Sequence, residues 1–201
     1  MVVNGGATNV GRGGTGTLTV TNGSFTQASN TLVIGNGASA DGTVTVNGGS
    51  LITQVASEIT VGAAVGSMGA LTVNGGAVDA NDAIRVGIDG TGTLTQNSGT
   101  INTGHHLVIG DIPTGNGTVR INDGTLNVGD VSTSTIQVGN EDDAGASALL
   151  EILGGTVNVS NSIEIALAGA NATGSVVIGD GTSNPTINLN TAIGAAAAGT
   201  N

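Results

Sequence analysis

The sequence predicts an all-β chain folded as a single right-handed parallel β-helix, and three observations lead to that fold class. A segment close to Gly-Thr-Leu-Thr-Val-Asn-Gly-Gly recurs about every 26 residues. Within it, apolar residues alternate with Thr, Arg, Gln or Glu, which is the period of a strand with one face inward. Gly supplies 37 of the 201 residues and, with Asn, interrupts every window long enough for an amphipathic helix.

The repeat divides the whole chain, residues 1–201, into coils of one solenoid. A fixed period of this length is typical of repeat architectures. Residues 1–15 form a shortened first coil, which gives about eight coils in all. The later coils start at Gly16, Gly42, Gly69, Gly92, Gly117, Ala148 and Gly174.

Each coil contains three short strands. A second apolar position follows the glycine turn, as at Leu51 and Val78, and a third segment closes the coil, as at Ile59 and Ile84. Strands this short cannot bury an apolar face alone, so equivalent strands must stack in parallel around a shared core. Parallel strands are normally joined by right-handed crossovers, which predicts the handedness.

The first strand of each coil predicts two inward columns. The first column contains Leu18, Val44, Leu71, Leu94, Val119, Leu150 and Val176. The second column lies two residues further along each first strand, and there Gln96 stands where other coils place Val or Ile. We expect its amide to bond the backbone of a neighbouring coil.

Composition excludes several functional classes. The net charge is −11, there are three Arg and no Lys, and one Phe is the only aromatic residue besides His. Such a chain can neither neutralise a run of phosphates nor stack bases, so we expect no nucleic-acid partner. No apolar run is long enough for a membrane span, so we expect no membrane insertion. The start, MVVNGGATNV, is not a signal peptide, and an export signal would lie outside this chain.

A column of asparagines at the first corner predicts a structural ladder, with side-chain amides bonded from coil to coil. Its members are Asn47, Asn74, Asn97 and Asn122. Asn4 joins them if Val3-Asn4-Gly5-Gly6 is aligned with Val46-Asn47-Gly48-Gly49. A ligand-binding role is the alternative.

Metal chemistry has one candidate. Glu141, Asp142 and Asp143 lie in a loop and could ligate calcium, or they form a solvated charge run. No other cofactor is predicted. His105 and His106 are adjacent, and in an extended segment they would point to opposite faces and could not chelate one ion together.

Catalysis is not predicted. Solenoid enzymes that cut acidic polysaccharides need clustered carboxylates together with basic residues, and the three Arg are spread over different coils. No GxSxG or HExxH motif occurs. We therefore expect a protein that is not an enzyme.

Thr dominates the outward positions of the first strand. The two predicted columns contain Thr17, Thr19, Thr43, Thr45, Thr72, Thr93, Thr95 and Thr118. They resemble the Thr-x-Thr arrays of ice-binding solenoids and would form a flat face for ice or a glycan. The alternative is a solvated strand face, where Thr is simply favoured. Arg120, Leu149, Glu151 and Val177 interrupt the array in later coils.

The repeated GTLTVNGG and LVIG segments resemble the strand repeats of bacterial autotransporter passenger regions and related secreted adhesins, over essentially the whole chain. The resemblance implies an extracellular or cell-surface rod that serves as a stalk, adhesin, surface-layer element or fibre segment. It also implies a host receptor, surface receptor or glycan as partner. No polar cap is visible at either end of the sequence, so we further expect end-to-end self-association along the rod axis.

Overall fold

The computed structural model describes residues 1–140, 145–166, 172–191 and 193–195, and all their regular structure is β. None of the described residues forms a helix that could cross a membrane. The strands are β1 Val2–Val3, β2 Thr8–Val10, β3 Thr15–Val20, β4 Ser24–Gln27, β5 Leu32–Ile34, β6 Asp41–Thr53, β7 Ile59–Val61, β8 Met68–Ala80, β9 Ile84–Val86, β10 Thr91–Thr103, β11 Leu107–Ile109, β12 Asn116–Ile121, β13 Thr125–Val128, β14 Ile136–Val138, β15 Ser147–Ile152, β16 Thr156–Val159, β17 Ile163–Ile165, β18 Thr173–Ile178, β19 Thr186–Leu189 and β20 Ile193–Ala195.

The strands stack as a parallel β-solenoid of about seven turns, with about 26 residues and three strands per coil, which confirms the predicted architecture. The first-strand stack is β3, β6, β8, β10, β12, β15 and β18. The second is β1, β4, β6, β8, β10, β13, β16 and β19, and the third is β2, β5, β7, β9, β11, β14, β17 and β20. The first two stacks form one 12-stranded sheet, and the third forms a separate 8-stranded sheet.

The first corner is a bent strand in the coils built on β6, β8 and β10. There the first and second strands run together as 13 continuous residues, with a register shift at the glycine turn. Gly49 shows why this corner needs glycine. Its φ is +135°, and a Cβ there would collide with the carbonyl oxygen of Gly23 in the preceding coil.

The core lies between the three strand stacks and is mainly aliphatic, with Phe25 also packed in it. Val44, Leu71, Leu94, Val119 and Leu150 are fully buried, as the alternation predicted. Burial of each such side chain stabilises the fold by roughly 1.5–3 kcal/mol relative to exposure. The two outermost members of this column, Leu18 and Val176, are only partly buried.

The first coil differs from its predicted alignment. Val2 and Val3 pair with Thr26 and Gln27, so β1 belongs to the second-strand stack and not to the end of a first strand. Asn4 therefore does not share a column with Asn47. The short Val-Asn-Gly-Gly match was misleading because two apolar residues before a glycine turn fit either strand of the coil.

Candidate functional site

The structure places the predicted Thr residues in register on the outer side of the first-strand stack. One column runs Thr17, Thr43, Ala70, Thr93, Thr118, and the other runs Thr19, Thr45, Thr72, Thr95, Arg120. Successive coils lie about 4.8 Å apart, and alternate residues of one strand about 6.7 Å apart. The eight Thr side chains thus form a regular patch of hydroxyl and methyl groups on a rigid support.

The Thr patch ends at the coil of β12. Arg120 continues the second column, and its Nη2 lies 2.6 Å from Glu151 Oε2 in the next coil. Leu149 then continues the first column. The patch is confined to the first five coils of the stack because these larger or charged side chains replace Thr beyond it.

Amide groups at the first corner form a hydrogen-bonded row that we call the corner ladder: Asn47, Asn74, Asn97 and Asn122. In each bond, Nδ2 of one Asn donates to Oδ1 of the Asn in the preceding coil, at 2.7–2.8 Å. The ladder is directional, since every donor points towards the N-terminal coil. Asn47, the first rung, only accepts within it.

A second row, the face ladder, lies on the outer side of the second-strand stack and was missed from the sequence. It consists of Asp79, Asn102, Asn127, Asn158 and Asn188, linked by Nδ2 to Oδ1 bonds of 2.6–2.7 Å. Its first rung is a carboxylate, which suits a position that only accepts. The segments Thr-Ile-Asn, Thr-Leu-Asn, Thr-Val-Asn and Thr-Ile-Asn carried the signal, because Asn recurs there at the outward position.

The face ladder borders a groove of about 340 Å³ at the second corner of the later coils. Asn127, Asn158 and Asn188 of the face ladder line the groove together with Ser160 and Asn190. Ser160 Oγ donates to the Gly129 carbonyl at 2.5 Å, and Asn190 Nδ2 donates to the Ser160 carbonyl at 2.7 Å. The polar groups lining the groove are thus held by bonds between coils.

Gln96 is fully buried in the core. Its Nε2 donates to the carbonyls of Gly99 and Thr125, both at 3.0 Å, and Thr125 belongs to the next coil. Its Oε1 has no hydrogen-bond partner. The amide thus ties the glycine turn of one coil to the second strand of the next.

The third-strand stack carries an ionic cluster on its outer side. Arg85 Nη1 lies 2.6 Å from Asp111 Oδ2, and its Nε lies 3.2 Å from Glu58 Oε1. Burial alone would lower the pKa of Arg85, but the two carboxylates outweigh it and the pKa is raised. The cluster links three successive coils because Arg85 pairs with a carboxylate on each side, which suits a structural role.

The two histidines contact each other and do not point to opposite faces. Their ring centroids are 4.1 Å apart in an edge-to-face arrangement. Opposite faces were expected for an extended segment, and His105 instead lies in a bend before β11. His106 Nδ1 accepts a hydrogen bond from the backbone N–H of Thr135 at 3.1 Å.

The acidic candidates Glu141, Asp142 and Asp143 lie outside the described residues. Within the part of the chain that the structure describes, no three His, Cys, Asp or Glu side chains are grouped closely enough to hold a metal ion.

Comparison with known proteins does not extend this picture: no family model, no curated protein and no solved structure matches the chain.

Proposed function

We propose that the protein is a non-enzymatic structural or adhesive rod on the outside of a bacterial cell, acting as a stalk, an adhesin or a segment of a surface layer or fibre. One observation carries the proposal. From the second coil on, each described coil is joined to the next by parallel strands of all three stacks, and outward side chains add further bonds between coils.

These links suit a mechanical role. Backbone hydrogen bonds between coils run along the rod axis, and the aliphatic columns make the core continuous along that axis. A protease needs an extended segment of several residues, and here such a segment is released only when a strand detaches from both neighbours. Loops are presented at the corners without interrupting the core.

Limited proteolysis tests the rod. A broad-specificity protease should leave the solenoid resistant, with cleavage confined to loops, whereas a Val119→Asp variant should be degraded quickly. Rapid cleavage within β6, β8 or β10 of the unmodified protein would contradict the proposal.

The location and the receptor or glycan partner rest on the resemblance to autotransporter passenger regions and secreted adhesins. The proposed site of action is the cell surface or the extracellular medium, and the proposed partners are a receptor or glycan and other copies of the chain arranged end to end. Immunolabelling of intact cells tests the location. Light scattering of concentrated protein tests the self-association, and a strictly monomeric rod at millimolar concentration would contradict it.

A second candidate function is the binding of ice or a glycan by the Thr patch, and the register of the two Thr columns favours it. Because the patch ends at Arg120, we expect no strong thermal hysteresis. Clear hysteresis at micromolar protein, lost when Thr45 and Thr95 are replaced by Tyr, would instead establish ice binding. A matched Arg120→Tyr variant at the edge of the patch should change it less.

A further inference from the structure

We propose that the groove beside the face ladder binds a neutral polysaccharide chain running along the rod axis. The groove crosses the coils of β13, β16 and β19. The proposal goes beyond the rod function, since a stalk needs no groove, and it concerns a different face from the Thr patch.

The amides of the face ladder are preorganised for such a ligand. A side-chain amide offers two N–H donors and two acceptor lone pairs. Asn158 spends one donor on Asn127 and one lone pair on Asn188, so half of its capacity remains. Because the ladder bonds fix the side-chain orientation, binding loses little side-chain entropy.

Charge determines the class of ligand. Among the residues that the structure describes, no charged side chain lines the groove, so an anion would find no basic partner among them. A divalent cation would find amide and hydroxyl oxygens without a carboxylate, which is a poor ligand set. Sugar hydroxyls both donate and accept, and they match amides that still have one donor and one acceptor free.

The same groove is unsuited to an extended peptide. Strand addition needs an open edge, and β16 is already paired on both sides, with β13 and β19. Specificity for a peptide also needs apolar pockets for side chains. Val128 and Val159, which border the groove, are buried in the core.

The two ladders differ in a way that supports this assignment. The rungs of the corner ladder are mostly exposed on a convex corner, whereas Asn127 and Asn158 of the face ladder are partly buried beside the groove. Both ladders carry the same side-chain amides, but the groove lies beside the face ladder. This provides an internal control.

The test is an NMR titration of the isotope-labelled full chain with soluble dextran, mannan and laminarin, and with alginate as an anionic comparison. We expect at least one neutral polysaccharide to shift the side-chain amide signals of Asn127, Asn158 and Asn188, and alginate to shift them less. The Asn190→Ala variant removes an amide from the groove without breaking the ladder. It should weaken binding about tenfold, as expected for one well-placed hydrogen bond.

Thr45→Val, on the Thr patch, is the matched control and should bind as the unmodified protein does. Three results would overturn the proposal: no shift with any neutral polysaccharide, shifts confined to the Thr patch, or unchanged affinity in Asn190→Ala. Tighter binding of an unstructured polar peptide than of every polysaccharide would also overturn it.

Discussion

The interior and the outer surface of the solenoid are built from alternate residues of the same strands, yet they repeat differently. Inside the first-strand stack, Val44, Leu71, Leu94, Val119 and Leu150 are all aliphatic and fully buried. The outward neighbours that precede them are Thr43, Ala70, Thr93, Thr118 and Leu149. The inner column varies only in aliphatic shape, whereas the outer column changes in chemistry.

The difference separates what the fold requires from what it permits. An inward position must fill a dry space between its counterparts in the preceding and following coils, which favours aliphatic side chains of similar volume. An outward position needs only to suit a strand surface. Regular chemistry outside the core, as in the Thr patch and the two ladders, is therefore not imposed by core packing and is the better guide to function.

The largest expected effect comes from charging the interior. Val119→Asp places a carboxylate in the closed aliphatic column and should destabilise the protein by about 4 kcal/mol or more, because no partner is available to an ionised group there. Thr118→Asp, one residue away and facing outward, should cost less than about 1 kcal/mol. Urea denaturation followed by circular dichroism measures both, and similar losses would contradict the division between interior and surface.

A smaller effect is expected from the direction of the corner ladder. Asn97→Asp removes the Nδ2 that donates to Asn74 and should cost about 1 kcal/mol. Asn47→Asp changes the first rung, which only accepts, so its cost should be near zero. Asp79 already occupies the corresponding rung of the face ladder and accepts from Asn102 at 2.6 Å.

Denaturation midpoints of the two variants decide this prediction, since both add the same charge at the same corner. Equal losses of stability would show that the ladder has no functional direction. The face ladder offers a second pair. Asn127→Asp removes the donor to Asn102 and should be destabilising, whereas Asp79→Asn keeps an acceptor in the first rung and should cost little.

The sequence was sufficient for the architecture because inward columns depend on a period of two and on repeat spacing, both visible in the letters. It also placed Thr43 and Thr45 on the outer side. The face ladder was not predicted because its Asn residues lie within short second strands, without the adjacent glycine turn that marks the corner ladder. The groove could not be predicted, because its shape depends on the relative positions of the second corners of three successive coils. The alignment of Val3 failed because a two-residue strand carries no distinguishing period.

Gln96 is the polar member of the second inner column of the first-strand stack, where other coils place Val or Ile. Replacing it tests how well that column tolerates a polar side chain. Gln96→Met keeps the volume, removes the unpaired Oε1 and deprives the carbonyls of Gly99 and Thr125 of their donor. These effects partly cancel, so we expect a destabilisation of about 0.5 kcal/mol. A loss as large as that of Val119→Asp would show that the amide is essential to the turn.

The smallest expected effect concerns pH and His106, which directly precedes β11 of the third-strand stack. Burial, followed by the neighbouring His105 and then Arg85, lowers the pKa of His106 below its ordinary value of 6.5, and Glu164 acts in the opposite direction. A neutral ring accepts from the Thr135 N–H at Nδ1, and an imidazolium can donate to Thr135 Oγ1 at 3.0 Å, so burial and not this contact lowers the pKa of His106. The unfolded chain therefore binds the proton more readily, so this stabilisation is present above pH 6.5 and is lost as the pH falls through the lower folded pKa. Unfolding free energies measured between about pH 7 and pH 5 should decrease slightly, and His106→Gln should flatten that slope. His105→Gln leaves His106 in its partly buried site and should retain most of the slope, so an equal flattening in both variants would contradict the assignment to His106.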